Sequence, residues 1–466
     1  MGFTDLPLEG GSTTWSNCRS KSRLDRYLVT PSLENHFSKI TQHRLPHIIS
    51  DYFPILLSCG FMQRGKSPFR FENMRLKGEG FTGRVQQWWN SYNVSGSPSF
   101  VLVQKLRLLK ADLRRWNVEE FGDVNFKKYE LLLQIQDLER VEEQRPLFVE
   151  ERVSQEQSNS DYENLLLSEE IHWRQKSRAT WLQEGDKNTR FFHRVANSNR
   201  RFNSFARLSI QGVLTSDQDE IGEGLVSFYS ELFSDDEVRR PLLDGLSFSS
   251  IDEEDSLVLD RSFTEEEVWE VVKVMAGDKA PGPDGFSMAF FKGCWATVKE
   301  DMMAVFHEFH AKGSLTRSIN ATVLVLIPKK PGAVECKDFR PISLIIGVYK
   351  IIAKVLANRL KMFLEKLISD SQNAFVGGRQ TLDSVLIANE SLDSRLKASI
   401  PGVLCKLDIE KAYDHVNWNF WIYLLRRCGF SAKWRQWIFA CISTACFSIL
   451  VNVTSTSFFP RTRGLR

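Results

Sequence analysis

The chain has 466 residues, 42% of them apolar and 26% charged, with a net charge of only +3. That length suits two to four domains with large cores, and the composition excludes a disordered, collagenous or disulfide-framework protein. The small net charge hides segregation: residues 215–270 carry 18 acidic against 3 basic side chains, and 321–466 carry 21 basic against 10 acidic. A basic block of that size suits a phosphate backbone, where each Lys or Arg contact displaces counterions; a solvated basic face is the plain alternative.

Residues 1–60 read as strands and turns, with strands at Thr13-Thr14-Trp15, Arg23 to Val29 and Ser50 to Leu57. From about Val101 to Arg194 the period becomes helical, with Leu102, Leu106, Leu109 and Leu113 on one face, then Leu131, Leu132, Ile135 and Leu138. Gly122 and Pro146 divide this into separate helices, a connector whose outer face reads as an exposed hairpin without chemistry, and Glu169 to Arg194 read as one more helix broken near Gly185. A hairpin is expected around Gln211-Gly212. Thr264 with Glu267 makes a capping box for a helix through Met275. Ala280-Pro281-Gly282-Pro283-Asp284-Gly285 is a tight loop. Thr322 to Ile327 is a buried strand stopped by Pro328, and Val348 to Leu367 is an amphipathic helix. Val403 to Asp408 reads as a buried strand delivering a carboxylate to its end, with Tyr413 five residues on. Asn417 to Arg427 is helical with Gly429 as C-cap, and Phe447 to Val453 is a strand turned back by Thr454 to Ser457.

The eight cysteines lack zinc-site spacing, and Cys428, Cys441 and Cys446 read as buried thiols in a reducing compartment. No secretory signal is visible, and Phe439 to Val453 is too short and polar to span a bilayer, so a soluble intracellular protein is expected.

Several segments occur in one order: Glu184-Gly185-Asp186-Lys187-Asn188-Thr189-Arg190-Phe191-Phe192-His193, the Ala280–Phe286 loop, Leu326-Ile327-Pro328-Lys329-Lys330, Asp338-Phe339-Arg340-Pro341-Ile342-Ser343-Leu344, Ile351 to Leu360, Gln372 to Gln380 and the Asp408 strand. Together they resemble the open reading frame of plant LINE-type (non-LTR) retrotransposons, which joins an endonuclease to a reverse transcriptase. The resemblance covers nearly the whole chain. It implies an α+β protein: a C-terminal remnant of an endonuclease β-sandwich (1–60), a helical connector (61–203), an acidic hairpin-helix segment (204–261), and the fingers and partial palm of a reverse transcriptase (262–466).

For residues 1–60 the resemblance is to an endonuclease/exonuclease/phosphatase domain. Asp25 and Asp51 match its two aspartates, but Tyr52 stands where the family has a catalytic His. A phenol, with a pKa of about 10 against about 6.5 for imidazole, neither titrates near neutrality nor offers a cationic donor. The segment therefore reads as a non-functional remnant.

In the reverse transcriptase part, the resemblance places Lys329 and Arg340 near the triphosphate of the incoming nucleotide, with Lys330 and Lys337 as further candidates. Arginine binds phosphate oxygens at two points and lysine as a point charge; the alternative for Lys329 is a surface lysine after a strand. Gly282 to Gly285 resemble the loop that shapes the template path, with a geometric role. Asp408 matches the metal-binding aspartate, with the Ile409 carbonyl as an added ligand; alone, such an Asp also reads as a helix cap. Tyr413 resembles the steric gate that excludes a ribose 2′-hydroxyl. Glu410, Lys411 and Asp414 read as solvated or capping residues.

By family the function is RNA-directed DNA polymerisation with Mg²⁺, deoxynucleotides, an RNA template and a DNA primer, and the location is nuclear and cytoplasmic. In the family the chain continues into a Gln-Gly-Asp-Pro loop and a pair of aspartates. Nucleotidyl transfer uses two metals about 4 Å apart, so Asp408 alone leaves the site incomplete, and a truncated, inactive fragment is expected. The alternatives are a nucleic-acid-binding module that lost the chemistry and a decayed product without function.

Overall fold

The computed structural model describes residues 3–17, 20–30, 33, 37, 39–45, 51–60, 68–121, 124–179, 189–205, 207–235, 243–373, 376–405, 407, 409–452 and 454–465. Helices and small sheets mix along the chain. The N-terminal segment has its own small core of Leu6, Val29 and Ile40. Its strand Lys39–Arg44 lies between Leu8–Glu9, parallel, and Ile55–Gly60, antiparallel. The expected Arg23–Val29 strand is ordered as a strand only at Leu28–Val29, because Arg23 and Arg26 turn aside to pair with Asp5 at 2.9 and 3.0 Å.

The helical connector is not uniform. Helices Phe81–Ser91 and Pro98–Trp116 bury Phe81, Val85, Trp89, Leu102, Leu106, Leu109 and Leu113 in the main core, together with Phe290, Phe306, Val355 and Trp437 of the later chain. Their 3.6-residue period thus faces the same core as the later chain. Trp89 Nε1 and Lys105 Nζ both donate to the Asp301 carboxylate at 2.8 Å, fixing this wall to helix Trp295–Lys312. Helices Val124–Gln144 and Val149–Ser177 then form the exposed antiparallel pair that the charge pattern indicates, with Pro146 between them. Helix Val149–Ser177 ends where Arg178 adopts φ 63°, and the next helix begins at Thr189; Gly185, where the break is expected, lies outside the described residues.

Turn chemistry matches the sequence closely. Gln211 and Gly212 have φ 51° and 85° between strands Leu208–Ile210 and Val213–Thr215, the double left-handed pair of a two-residue hairpin. The Thr264 side chain accepts from Glu267 N at 3.2 Å, starting helix Glu265–Val274. The other half of the capping box is absent, because the Glu267 carboxylate is turned to Arg359, with oxygens at 2.8 and 2.7 Å.

The central sheet positions the site. Its order is Phe339–Ile345, Ala321–Pro328, Cys446–Val451, then Thr454–Ser455 and Phe459–Pro460 on the far side. Leu324, Leu326, Phe339, Phe447 and Ile449 face a second core under helix Gln218–Leu232. The opposite face is open: Ile342 is exposed and Val325 and Ile327 are half-buried.

The buried strand expected at Val403–Asp408 is not seen among its described residues. Residues 401–405, 407 and 409 lie outside any strand, and Val403 is 96% exposed. Both ladder positions beside Ala321–Pro328 are taken, by Phe339–Ile345 and Cys446–Val451, so this apolar run has no partner there. Helix Thr381–Lys397 before it is also uncovered, with Leu382, Leu386, Ile387 and Leu396 exposed. Among the expected buried thiols, only Cys441 is buried; Cys428 and Cys446 are half-buried. No described helix is long and apolar enough to cross a membrane.

Candidate nucleotide site

Lys329 and Arg340 belong to one antiparallel hairpin. Ile327 is opposite Arg340, and Lys329 N continues the ladder to the Asp338 carbonyl at 2.8 Å. Strand alternation therefore places Lys329, Arg340, Ile327, Ile342 and Leu344 on the open face of the sheet. The other cations of the hairpin are engaged. Lys329 Nζ donates to the Lys337 carbonyl at 2.8 Å, Lys330 pairs with Asp338 at 2.9 Å, and Lys337 pairs with Glu335 at 2.7 Å. The Lys330 ammonium holds the Asp338 carboxyl below its ordinary range. Arg340 is exposed and makes no hydrogen bond or ion pair among the described residues. It is the one of these four whose whole donor set remains open to an anion.

The Ala280–Gly285 loop is held by steric fit. A Cβ on Gly282 would lie 2.5 Å from the backbone of Ile345 and Ile346, and Gly285, at φ 85°, packs within 2.3 Å of the Phe69 carbonyl oxygen by the same measure. Phe71 N donates to the Gly285 carbonyl at 2.8 Å. The loop therefore joins the start of the connector to the end of the Phe339–Ile345 strand, the geometric role its Gly and Pro content implies. Sequence reasoning did not single out Asp284 within it. Its carboxyl oxygens are sealed from solvent, and burial pushes the group up to about 6, against the opposing pull of Lys350 and of the Gly347, Gly285 and Phe286 amides. The available signal was an acidic residue inside an otherwise rigid, uncharged turn.

Tyr413 lies in the segment held by the residues that follow strand Phe459–Pro460. Its carbonyl accepts from Leu465 N at 2.7 Å, and Gly464 N donates to Val416 at 2.8 Å. Trp418 Nε1 donates to the Gly464 carbonyl at 2.7 Å. The segment after strand Phe459–Pro460 thus clasps 413–418, leaving the Tyr413 ring exposed. Ile409 is exposed, and Asp408 lies outside the described residues. Burial raises the nearby Asp414 carboxyl above its ordinary value, so it is ill suited to carry a charge unaided. Among the described residues no three His, Cys, Asp or Glu side chains converge as metal ligands.

In the N-terminal segment, the backbones around Asp25 and Tyr52 meet at Thr14. Thr14 Oγ1 accepts from Leu24 N and Asp25 N at 2.9 Å each, its carbonyl accepts from Phe53 N at 2.8 Å, and Trp15 bridges Tyr52. The Asp51 carbonyl accepts from Ser16 N at 2.9 Å. Asp25, Asp51 and Tyr52 are therefore brought to one place by main-chain contacts, with Asp51 and Tyr52 exposed.

Residues 327–466 match the family described as reverse transcriptase (RNA-dependent DNA polymerase). The Transposon TX1 uncharacterized 149 kDa protein of Xenopus laevis is 27% identical over 459 residues, 96% of this chain and 35% of that protein. The Retrovirus-related Pol polyprotein from type-1 retrotransposable element R2 of Nasonia vitripennis is 26% identical over 189 residues, 40% of this chain and 18% of the relative. Its counterpart in Popillia japonica is 24% identical over 174 residues, 37% and 23% of the two chains. The chain spans about a third of the length of the first of these relatives. Over residues 327–466, then, it carries the reverse transcriptase domain of a LINE-type, non-LTR retrotransposon.

Proposed function

We propose that this domain serves RNA-directed DNA synthesis, taking a deoxynucleotide on the open face of the central sheet. Arg340 is the principal triphosphate contact and Lys329 the second. The observation that carries this reading is the free, exposed Arg340 guanidinium on the same face as Lys329, while Lys330 and Lys337 are consumed by carboxylates. Asp408 and the Ile409 carbonyl are proposed ligands of a divalent cation, Mg²⁺ in this family, which when bound neutralises charge on the transferring phosphate. Tyr413 is proposed as the gate against ribonucleotides. An RNA template and a DNA primer are the proposed partners, in an element that works inside the cell, in nucleus and cytoplasm. Residues 1–60 are proposed to be an endonuclease-derived segment that no longer cleaves, since Tyr52 cannot supply imidazole chemistry.

Binding of a fluorescent dATP analogue in the presence of Mg²⁺ tests the assignment. Arg340→Ala weakens binding about tenfold or more, the worth of one charge-assisted bidentate contact. Lys329→Ala has a smaller effect, because its ammonium already spends a donor on Lys337. Tyr413→Val leaves dATP affinity in place and improves binding of the ATP analogue. Equal dATP affinity in wild type and Arg340→Ala refutes the placement of the triphosphate.

A further inference from the structure

The end of the long connector helix Val149–Ser177 docks against three other parts of the chain, and each contact delivers a cation. Gln175 Nε2 donates to the Phe71 carbonyl at 2.9 Å, which sets Arg70 beside the helix end. Arg178 Nη1 donates to the Asp278 carbonyl at 2.9 Å. Asn199 Nδ2 donates to the Ser177 carbonyl at 3.1 Å and so brings Arg200 alongside Lys176. Lys350 Nζ reaches the Ala280 carbonyl, two residues past Asp278, at 3.0 Å. Arg70, Lys176, Arg178 and Arg200 are exposed and Lys350 is half-buried.

Nearby carboxylates are hydrogen-bonded or paired first with other groups, and offset the seam cations only in part. Glu72 pairs with Arg75 at 3.1 Å and faces His172 at 3.4 Å, while the Asp278 carboxylate takes Arg174 at 3.4 Å and Asn73 at 3.3 Å. Asp284 partly offsets Lys350. Burial lowers Lys176, Arg178 and Lys350; Glu72 pulls Lys176 back up, Asp278 Arg178 and Asp284 Lys350, while Arg200 and Arg70 lower Lys176, Arg70 lowers Arg178 and Arg178 lowers Lys350. The helix dipole explains only part of this arrangement. A helix C-terminus favours Lys176 and Arg178, but Lys350 sits in the first turn of helix Gly347–Lys361, where a cation is disfavoured, and Arg70 lies outside any helix. Trp173 adds a ring 4.7 Å from Lys176 Nζ, the kind of aromatic neighbour on which a base stacks.

We propose that Arg70, Lys176, Arg178, Arg200 and Lys350 form a binding site for the phosphodiester backbone of nucleic acid, on the seam between the connector and the polymerase core and separate from the Lys329–Arg340 hairpin. Five cations drawn from four segments, with Lys176 and Arg178 at one helix end, form an extended track rather than a pocket for one phosphate. The site requires no catalysis.

Fluorescence anisotropy with a labelled single-stranded RNA, and with DNA of the same sequence, over a salt series tests it on the full chain. Lys176→Gln/Arg200→Gln removes two contacts; Lys273→Gln/Lys397→Gln removes the same charge from two exposed helix surfaces elsewhere. The first variant shows a log affinity–log salt slope shallower by about 1.4, from about 0.7 per contact, so that a fourfold rise in salt costs it about sevenfold less affinity than it costs wild type. The control keeps the wild-type slope. Arg70→Gln alone, which leaves the helix end untouched, lowers the slope by about 0.7. A parallel effect on RNA and DNA supports backbone recognition, and an effect on RNA alone narrows the ligand to RNA. Equal slopes in the seam variants and the control overturn the proposal, as does wild-type protein that shows no salt-dependent binding. Failure of the Arg340→Ala nucleotide test leaves these slopes unaffected, so the two readings fail separately.

Discussion

Arg359 offers the sharpest test of how this core is held together. Its side chain is fully buried, yet all five guanidinium protons are placed. Nε and Nη2 grip Glu267 at 2.8 and 2.7 Å; Nη1 caps the Leu259 and Arg261 carbonyls at 2.8 and 2.6 Å, and Nη2 also caps Ser262 at 3.0 Å. The Phe263 ring lies 4.2 Å away. This one side chain ties helix Gly347–Lys361 to the end of helix Glu253–Asp260 and the start of Glu265–Val274. Arg359→Ala strands a mostly buried carboxylate and three carbonyls. Breaking a buried pair costs about 3–5 kcal/mol and each orphaned acceptor adds about 1–3, not additively, so a loss of roughly 5 kcal/mol is expected. That is a large share of a domain's total stability. Urea unfolding, followed by tryptophan fluorescence, measures it. Replacing both Arg359 and Glu267 by Met separates the two roles: it removes the charge pair but leaves the carbonyls uncapped, so most of the loss persists. A cost below about 1 kcal/mol for Arg359→Ala, or near-complete recovery in the double Met variant, refutes the view that carbonyl capping holds this junction.

Asp284 gives a pH signature. Its folded value of about 6 lies above the ordinary 3.8, so the native state holds the proton more tightly and stability falls as pH rises between those values. Between pH 4 and pH 7, wild type loses about 2 kcal/mol more than Asp284→Asn does in urea titrations; parallel pH profiles contradict this. Gly282→Ala drives a Cβ into the Ile345–Ile346 backbone at 2.5 Å and lowers the urea midpoint by an amount equivalent to about 2–3 kcal/mol, whereas Gly332→Ala, with open space around it, pays only for its φ of 71°. A chain starting at residue 204 loses Phe69, Phe71, Trp89, Leu106 and Leu109 from the main core, each worth about 1.5–3 kcal/mol of burial. Scanning calorimetry then shows no sharp transition for 204–466, while 68–466 melts cooperatively; a sharp monomeric transition of 204–466 shows the connector to be dispensable.

Local chemistry was readable from residues alone. The Gln211-Gly212 turn, the Thr264 cap, the Pro328 stop and the Gly429 cap each depend on a few neighbouring atoms, and each is found where the sequence places it. The hairpin joining Lys329 to Arg340 was legible only through its motif, because the Phe339–Ile345 strand contains a proline and carries little alternation of its own. What the sequence did not disclose was long-range placement. An amphipathic helix announces that it has a buried face, not which core it joins, so Phe81–Ser91 and Pro98–Trp116 read as connector although they wall the main core. The Val403–Asp408 run shows the converse: an apolar β-rich string states a preference for burial, but becomes a sheet strand only where a ladder edge is free.

The same distinction governs the candidate sites. A phosphate-binding hairpin is a local object: strand alternation sets Lys329 and Arg340 on one face, and neighbouring acids decide which lysines are consumed. The seam at Arg178 is not local. Its cations are drawn from residues 70 to 350, with Lys176, Arg178 and Arg200 in one stretch and Arg70 and Lys350 each more than 100 residues from it. Helix packing assembles it through the uncharged contacts of Gln175 and Asn199, which bring like charges together against their repulsion. Such repulsion persists when packing energy exceeds it, and an anion bound along the seam offsets it. Charge counts along the chain, which favoured residues 321–466 as the basic region, therefore located only part of the positive surface; folding adds Arg70, Lys176, Arg178 and Arg200 from outside that block.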